Sequence, residues 1–180
     1  MKLLSESAAL ARLGAVREEF RELVRRTYEH RAVPCSECKS PGACCLDEHF
    51  VNVRISRLEA VAIAKAINSL EEERRESVLR RTEDTVEKYK LDEAIDPETT
   101  YACPLFERGT GCLVHATAKP LPCIAHACYE NEKDLPPDDL LTEREAAIEK
   151  LDQRTYGKCG SLLPLPVAVM YEIRRIRHQP

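Results

Sequence analysis

Apolar residues along most of the chain recur at intervals of three and four, which is the spacing of one helix face. This periodicity predicts a first helix over about residues 7 to 30, with Leu13 and Phe20 on its buried side. A second predicted helix starts at the capping-box pair Ser56 and Glu59, and a third covers about residues 71 to 90. A fourth covers about residues 143 to 155 after the capping-box pair Thr142 and Glu145, and a last helix follows Pro164 and Pro166. Alternating residues over 50 to 55 indicate either a short strand or an extended lead-in. The predicted fold class is therefore mainly α, a single helical domain over residues 1 to 180.

The cysteines lie in or beside the segments between these helices, where Pro and Gly are frequent. Residues 35 to 45 read CSECKSPGACC, and a longer segment runs from Asp96 to about residue 122. A structureless loop of that length is uncommon in a compact domain unless something other than secondary structure organises it. Metal coordination would do so. The sequence thus predicts a loop-built, cysteine-rich metal centre, and Pro136 to Asp139 is a candidate surface loop.

Composition narrows the class of protein. Nine cysteines in 180 residues make about 5%, below the roughly 8 to 10% that marks a small secreted disulfide scaffold. With 27 Lys and Arg against 31 Asp and Glu, the net charge of −4 lacks the basic footprint of a nucleic-acid-binding protein. Four arginine pairs are interleaved with carboxylates and are predicted to lie on solvated helix faces: Arg25-Arg26, Arg74-Arg75, Arg80-Arg81 and Arg174-Arg175.

The sequence favours a cytoplasmic location. Ser5, Glu6 and Ser7 interrupt the apolar run at the N-terminus before it reaches signal-peptide length, and no stretch approaches the ~20 apolar residues of a membrane span. We therefore expect no membrane association. In a reducing cytosol, thiols are more often metal ligands or redox groups than structural disulfides.

The first cysteine group is Cys35-x2-Cys38-x5-Cys44-Cys45. Two residues between Cys35 and Cys38 allow a tight turn to aim both sulfurs at one point, as in zinc knuckles and iron–sulfur ligation. If the chain at Cys44 and Cys45 is extended, their side chains point to opposite sides. The pair would then serve two different metals, or one ligand and one buried thiol.

The second group comprises Cys103, Cys112, Cys123 and Cys128. Cys103 and Cys112 bracket a glycine-bearing turn that could fold them together, and prolines stiffen the approach to Cys123. Together the two groups supply eight cysteines over residues 35 to 128. Eight is the number needed for two four-thiolate sites or for one larger cluster.

These motifs resemble the cysteine-cluster proteins of the YkgJ type, which are described as zinc- or iron-chelating domains with a CxxCx(n)CC motif. The second signature of that family is similar to Cys103-Pro104-Leu105-Phe106, Gly111-Cys112-Leu113-Val114-His115 and Lys119-Pro120-Leu121-Pro122-Cys123. The resemblance implies a chelating role for Cys35, Cys38, Cys44, Cys45, Cys103, Cys112 and Cys123. The chain departs from the family pattern in three places: the spacer before Cys44 has five residues, His115 stands where the family has Tyr, and Lys119 stands where it has Arg. The role of Cys128 is inferred from this sequence only.

Other residues near the cysteines have two interpretations each. Four thiolates around one divalent zinc leave a charge of about −2 that nearby cations must offset. Lys39, Arg108 and Lys119 are close in sequence, although ordinary surface charge is the simpler interpretation. His126 is either a nitrogen ligand or a hydrogen-bonded structural residue. For His115, packing in place of an aromatic ring is favoured over ligation, and Cys159 is either an extra ligand on a flexible turn or, as favoured, a free thiol.

Three functional hypotheses follow. The first is a metal-binding protein that holds zinc, or iron as an iron–sulfur cluster, because thiolates select both. The second is an iron–sulfur-dependent enzyme or accessory protein for redox or methyl transfer, since flagellin lysine methylases carry a similar cysteine-rich segment. The third is a thiol redox module. No Gly-rich cofactor loop and no nucleophile–base pair appears in the sequence, so it favours metal ions as partners and binding over catalysis. The sequence does not identify a protein partner.

Overall fold

The structure, a computed structural model, describes residues 3–33, 37, 39–47, 51–93, 98–157 and 160–177. It is mainly helical, which confirms the predicted fold class. In chain order the α-helices are α1 (Glu6–Thr27), α2 (Ala43–Leu46), α3 (Arg57–Asn68), α4 (Glu72–Tyr89), α5 (Leu121–Ala125), α6 (Asp138–Tyr156) and α7 (Leu165–Arg177). None of the helices in these ranges is long and apolar enough to cross a membrane.

Short antiparallel strand pairs supplement the helices. The strands are β1 (Ala32–Val33), β2 (Arg54–Ile55), β3 (Phe106–Glu107), β4 (Gly111–Cys112), β5 (Cys128–Tyr129) and β6 (Leu163–Pro164). They pair as β1 with β5, β2 with β6, and β3 with β4. The strand predicted near residues 50 to 55 corresponds to β2, the last two residues of that run, while residues 48–50 lie outside the described part of the chain.

The chain divides into two compact units, each made of two separate stretches of chain. The first unit comprises Met1–Pro41 and Lys119–Gly160, and the second comprises Gly42–Ala118 and Ser161–Pro180. The first unit contains α1, α5 and α6, and the second contains the remaining helices. A single domain over residues 1 to 180 stays a prediction.

In the first unit, α1 packs against α5 and α6. Ser5 caps α1 by accepting a hydrogen bond from the Ala8 N–H at 3.3 Å, and Leu13 and Phe20 are fully buried as the periodicity predicts. The Leu4 N–H donates to the Arg154 carbonyl at 2.8 Å. This hydrogen bond ties the start of α1 to the last turns of α6.

Two helix boundaries in this unit differ from the prediction. α1 ends at Thr27, because the chain turns through a short 3-10 segment (Glu29–Arg31) and then pairs as β1 with β5. α6 begins at Asp138 rather than near residue 143, with Pro137 as its N-cap. The prediction of a surface loop over Pro136 to Asp139 is therefore wrong for its last two residues. Asp138 and Asp139 form the first helical turn, where their charges suit the positive end of the helix dipole.

In the second unit, α7 packs against α3 and α4. The predicted capping box is confirmed: the Glu59 N–H donates to Ser56 Oγ at 3.3 Å, and the Ser56 N–H donates to Glu59 Oε2 at 3.1 Å. The fully buried Tyr101 lies beside this core; its hydroxyl donates to the Val53 carbonyl and accepts from the Leu165 N–H at 3.3 Å. Tyr101 thus anchors the chain just before Cys103.

Candidate metal centre

The structure describes six of the eight cysteines predicted as ligands, and all six are partly buried thiols outside disulfides. Cys44 and Cys45 lie in α2, Cys103 lies before β3, and Cys112 lies in β4, all in the second unit. Cys123 lies in α5 and Cys128 in β5, both in the first unit. Cys35 and Cys38, and also Cys159, lie outside the described residues.

The short helix α2 begins at a glycine that cannot be replaced without a collision. Gly42 has φ +83°, and a Cβ built on it would lie 2.1 Å from Cζ of Phe106. Its carbonyl accepts hydrogen bonds from the Cys45 N–H at 2.9 Å and from the Leu46 N–H at 3.0 Å. Gly42 therefore starts the helical turn that carries the vicinal cysteines and also provides the space for the Phe106 ring.

The conformation of α2 changes the interpretation of the vicinal pair. An extended chain would direct adjacent side chains to opposite sides, but consecutive residues of a helix are only about 100° apart. The Cys44 thiol is among the neighbours that raise the pKa of Cys45. The condition for opposite directions, an extended chain at Cys44 and Cys45, is therefore not met, because residues 43–46 are helical.

Backbone hydrogen bonds bring Cys103 and Cys112 to the same place. The Cys103 N–H donates to the Cys45 carbonyl at 2.7 Å, and the Phe106 N–H donates to the Cys103 carbonyl at 3.3 Å. Phe106 in turn pairs with Cys112 across the β3–β4 hairpin. Two stretches of chain that are far apart in sequence, residues 42–46 and residues 103–112, thus meet around α2. We refer to Cys44, Cys45, Cys103 and Cys112 as the four-thiol group.

The thiols of this group interact electrostatically. Burial raises the pKa of Cys45 to about 12, and the neighbouring Cys44, Cys103 and Cys112 thiols add to this increase. Thiolates that share a partly buried space repel one another, so each favours the protonated form of the next. A cation bound among the four sulfurs would reverse this effect, because it favours the thiolate form.

Whether the four-thiol group fits a metal depends on the chemistry of its donor atoms and on their geometry. Four thiols are donors that suit a soft ion such as zinc, or the irons of a cluster. As they stand, however, no three His, Cys, Asp or Glu side chains among the described residues are arranged to hold one metal ion. The donor chemistry therefore fits a soft metal, but the described side chains do not form a preassembled site.

Helix α4 supports the hairpin through two arginines that sequence reasoning missed. Arg74 Nε donates to Glu107 Oε2 at 2.9 Å, and Arg74 Nη2 donates to Thr110 Oγ1 at 2.9 Å. Arg81 Nε donates to the Pro104 carbonyl at 3.1 Å. The prediction of a solvated face is wrong for Arg81, whose Nη2 is shielded from solvent, whereas the Arg74 side chain stays 39% exposed. Their seven-residue spacing places them on one side of the helix, which is the signal that could have identified them.

The other candidate residues have different surroundings. Lys39 and Arg108 are exposed, in keeping with ordinary surface charge. His115 is exposed as well, so its predicted packing role is wrong. Partial burial and the nearby Lys119 ammonium lower the pKa of His126, which favours its neutral imidazole form.

In the first unit, backbone hydrogen bonds hold the short elements that carry Cys123 and Cys128. Pro120 caps the start of α5, and the His126 N–H closes its end by donating to the Pro122 carbonyl at 3.1 Å. Cys128 pairs with Val33 in the β1–β5 ladder. A ligand role for Cys123 and Cys128 stays a prediction.

Comparison with known proteins adds no relative: no protein-family profile, no curated protein and no solved structure matches the chain.

Proposed function

We propose that this protein binds a soft metal through its cysteines, either zinc or iron in an iron–sulfur cluster, with the four-thiol group as the principal site. The supporting observation is that the stretch from Cys103 to Cys112 meets the distant α2 turn through the backbone hydrogen bond from Cys103 to Cys45. Reduced cysteines that only filled a core would be spread over apolar helix faces. Here they occupy a short helix and a hairpin that are hydrogen-bonded to each other.

The chemistry of the group follows from its ligands. Cys44, Cys45, Cys103 and Cys112 would supply four thiolates, which complete the coordination of a tetrahedral zinc and leave no position for a substrate water. An iron–sulfur cluster held by the same thiolates would supply electron transfer. In either case the thiols lose their protons on binding, so the affinity for the metal falls as the pH falls.

The remaining predicted ligands extend the proposal. Cys35, Cys38, Cys123 and Cys128 are sufficient in number for a second four-thiolate site, and we include them as candidate ligands of the same class of metal. The motif resemblance to the YkgJ-type proteins points in the same direction. A reducing, cytoplasmic location is part of this proposal, because such ligands must stay reduced.

Purification without oxygen, followed by metal and sulfide analysis and an absorption spectrum, tests the proposal. Bound iron and sulfide with broad absorption at roughly 400 to 450 nm indicates an iron–sulfur cluster, whereas a colourless protein with stoichiometric zinc indicates closed zinc sites. Cysteines that react fully with a thiol reagent in native protein that contains no stoichiometric metal would contradict metal binding.

A further inference from the structure

The Arg81 side chain, on α4, makes hydrogen bonds both to a distant stretch of chain and to its own helix. Its Nε donates to the Pro104 carbonyl at 3.1 Å, one residue after Cys103, and its Nη1 donates to Ser77 Oγ at 3.0 Å. The side chain is partly buried. Arg81 thus connects α4 to the turn that places Cys103 against Cys45.

Part of the Arg81 guanidinium is buried without a partner. Nη2 is shielded from solvent and has no hydrogen bond, and within the described residues no carboxylate pairs with Arg81. Arg74, two helical turns earlier, differs in this respect because Glu107 balances its charge. A buried donor without an acceptor is destabilising, so an acceptor or a negative charge near Nη2 would stabilise the Cys103 turn.

We propose that Arg81 is a positioning residue for the four-thiol group: it holds the Cys103–Pro104 turn and offsets the negative charge of the metal-loaded centre. This inference rests on the proposed function. Four thiolates around a divalent ion carry a charge of about −2, which a nearby cation stabilises. The positive charge of Arg81 does reach the hairpin. The pKa of Glu107 is lowered mainly by its hydrogen bond to Arg74, and Arg81 contributes to the same decrease.

The test is a titration of the full-length, reduced, metal-free protein with Co²⁺, which reports thiolate ligation through its sulfur-to-metal absorption bands. The variants are Arg81→Gln, Arg81→Lys and Arg80→Gln. Arg80 is the matched control because it is the neighbouring residue on α4 and is largely exposed, near Glu76. Thermal melting of each metal-free variant is measured in parallel.

We expect Arg81→Gln to weaken Co²⁺ binding roughly 10- to 100-fold, the usual effect of losing a residue that supports metal ligands. Arg81→Lys keeps the charge and should recover most of that loss, whereas Arg80→Gln should bind as the wild type does. Rescue by Lys separates the role of the charge from a merely structural one.

The outcomes separate this inference from the proposed function. Failure of the wild-type protein to bind Co²⁺ through sulfur would count against the proposed function itself. Wild-type binding together with unchanged affinity in Arg81→Gln would overturn the role of Arg81. If Arg81→Gln does not fold, Arg81→Lys decides, because an affinity reduced tenfold in a variant with unchanged melting would contradict the charge-balancing role.

Discussion

In the second unit, backbone hydrogen bonds gather cysteines from two distant stretches of chain, whereas in the first unit Cys123 and Cys128 lie on α5 and β5, which pack with α1, α6 and β1. Cys112 and Cys123 are near each other in sequence but belong to different units. Cys45 and Cys103 are far apart in sequence, yet their main chains are hydrogen-bonded. The comparison shows that distance along the chain does not decide which thiols can share a site.

Replacing one cysteine in each unit is expected to give the largest difference. Cys103→Ser should remove metal from the four-thiol group and lower the melting temperature by roughly 10 °C, because metal binding free energy is also folding free energy. Cys123→Ser should leave the metal of the four-thiol group in place. Metal content per chain and thermal melting measure both effects. Loss of all bound metal in each of the two variants would indicate that Cys103 and Cys123 serve one centre and would break the comparison between the units.

Glycine substitutions test how the four-thiol group is held together. Gly42→Ala and Gly109→Ala both place an alanine at positive φ, +83° and +81°, but only the first would meet another side chain. We expect Gly109→Ala to lower the free energy of unfolding by about 1 to 2 kcal/mol. Gly42→Ala should lower it by about 1 to 3 kcal/mol more, because the added methyl group meets the Phe106 ring.

Chemical denaturation of both glycine variants measures this difference. Gly157→Ala, at φ +84° with open space around it, is the matched control in the first unit. Adding Phe106→Leu to Gly42→Ala should recover part of the loss. If Gly42→Ala is no less stable than the two controls, the contact between α2 and Phe106 does not hold the group together.

The pH dependence of stability should show the smallest effect. The pKa of Cys45 is about 12 in the folded protein against 9.0 for an ordinary thiol, so the folded state holds this proton more tightly. Its contribution to stability is therefore fully present below pH 9 in the metal-free protein and is lost as the pH rises from 9 toward 12. Cys45→Ser lacks this titration.

Urea denaturation of the reduced, metal-free protein at about pH 8 and about pH 10 tests this expectation. The wild type should lose more stability between the two pH values than Cys45→Ser. Identical losses in the wild type and Cys45→Ser would show that burial and the neighbouring thiols do not raise the pKa of Cys45 in the folded protein.

Much of the fold could be predicted because local signals decided it. The Ser56–Glu59 capping box and the periodic apolar residues of α1 act over one or two helical turns, so they are visible in the sequence. The start of α6 was misplaced because Thr142 and Glu145 have capping-box spacing, while the helix already begins after Pro137. Spacing alone cannot distinguish a capping-box pair inside a helix from one at the start of a helix.

The sequence by itself determined the helical class and supplied the cysteines in two loop-rich groups. Only the tertiary structure decided that Cys44 and Cys45 share a helical turn, that Cys103 and Cys112 join them, and that Arg81 supports the turn after Cys103. The physical reason is the range of the interactions. Helix periodicity and caps depend on neighbours within a few residues, whereas a thiol group depends on backbone hydrogen bonds between distant stretches of chain.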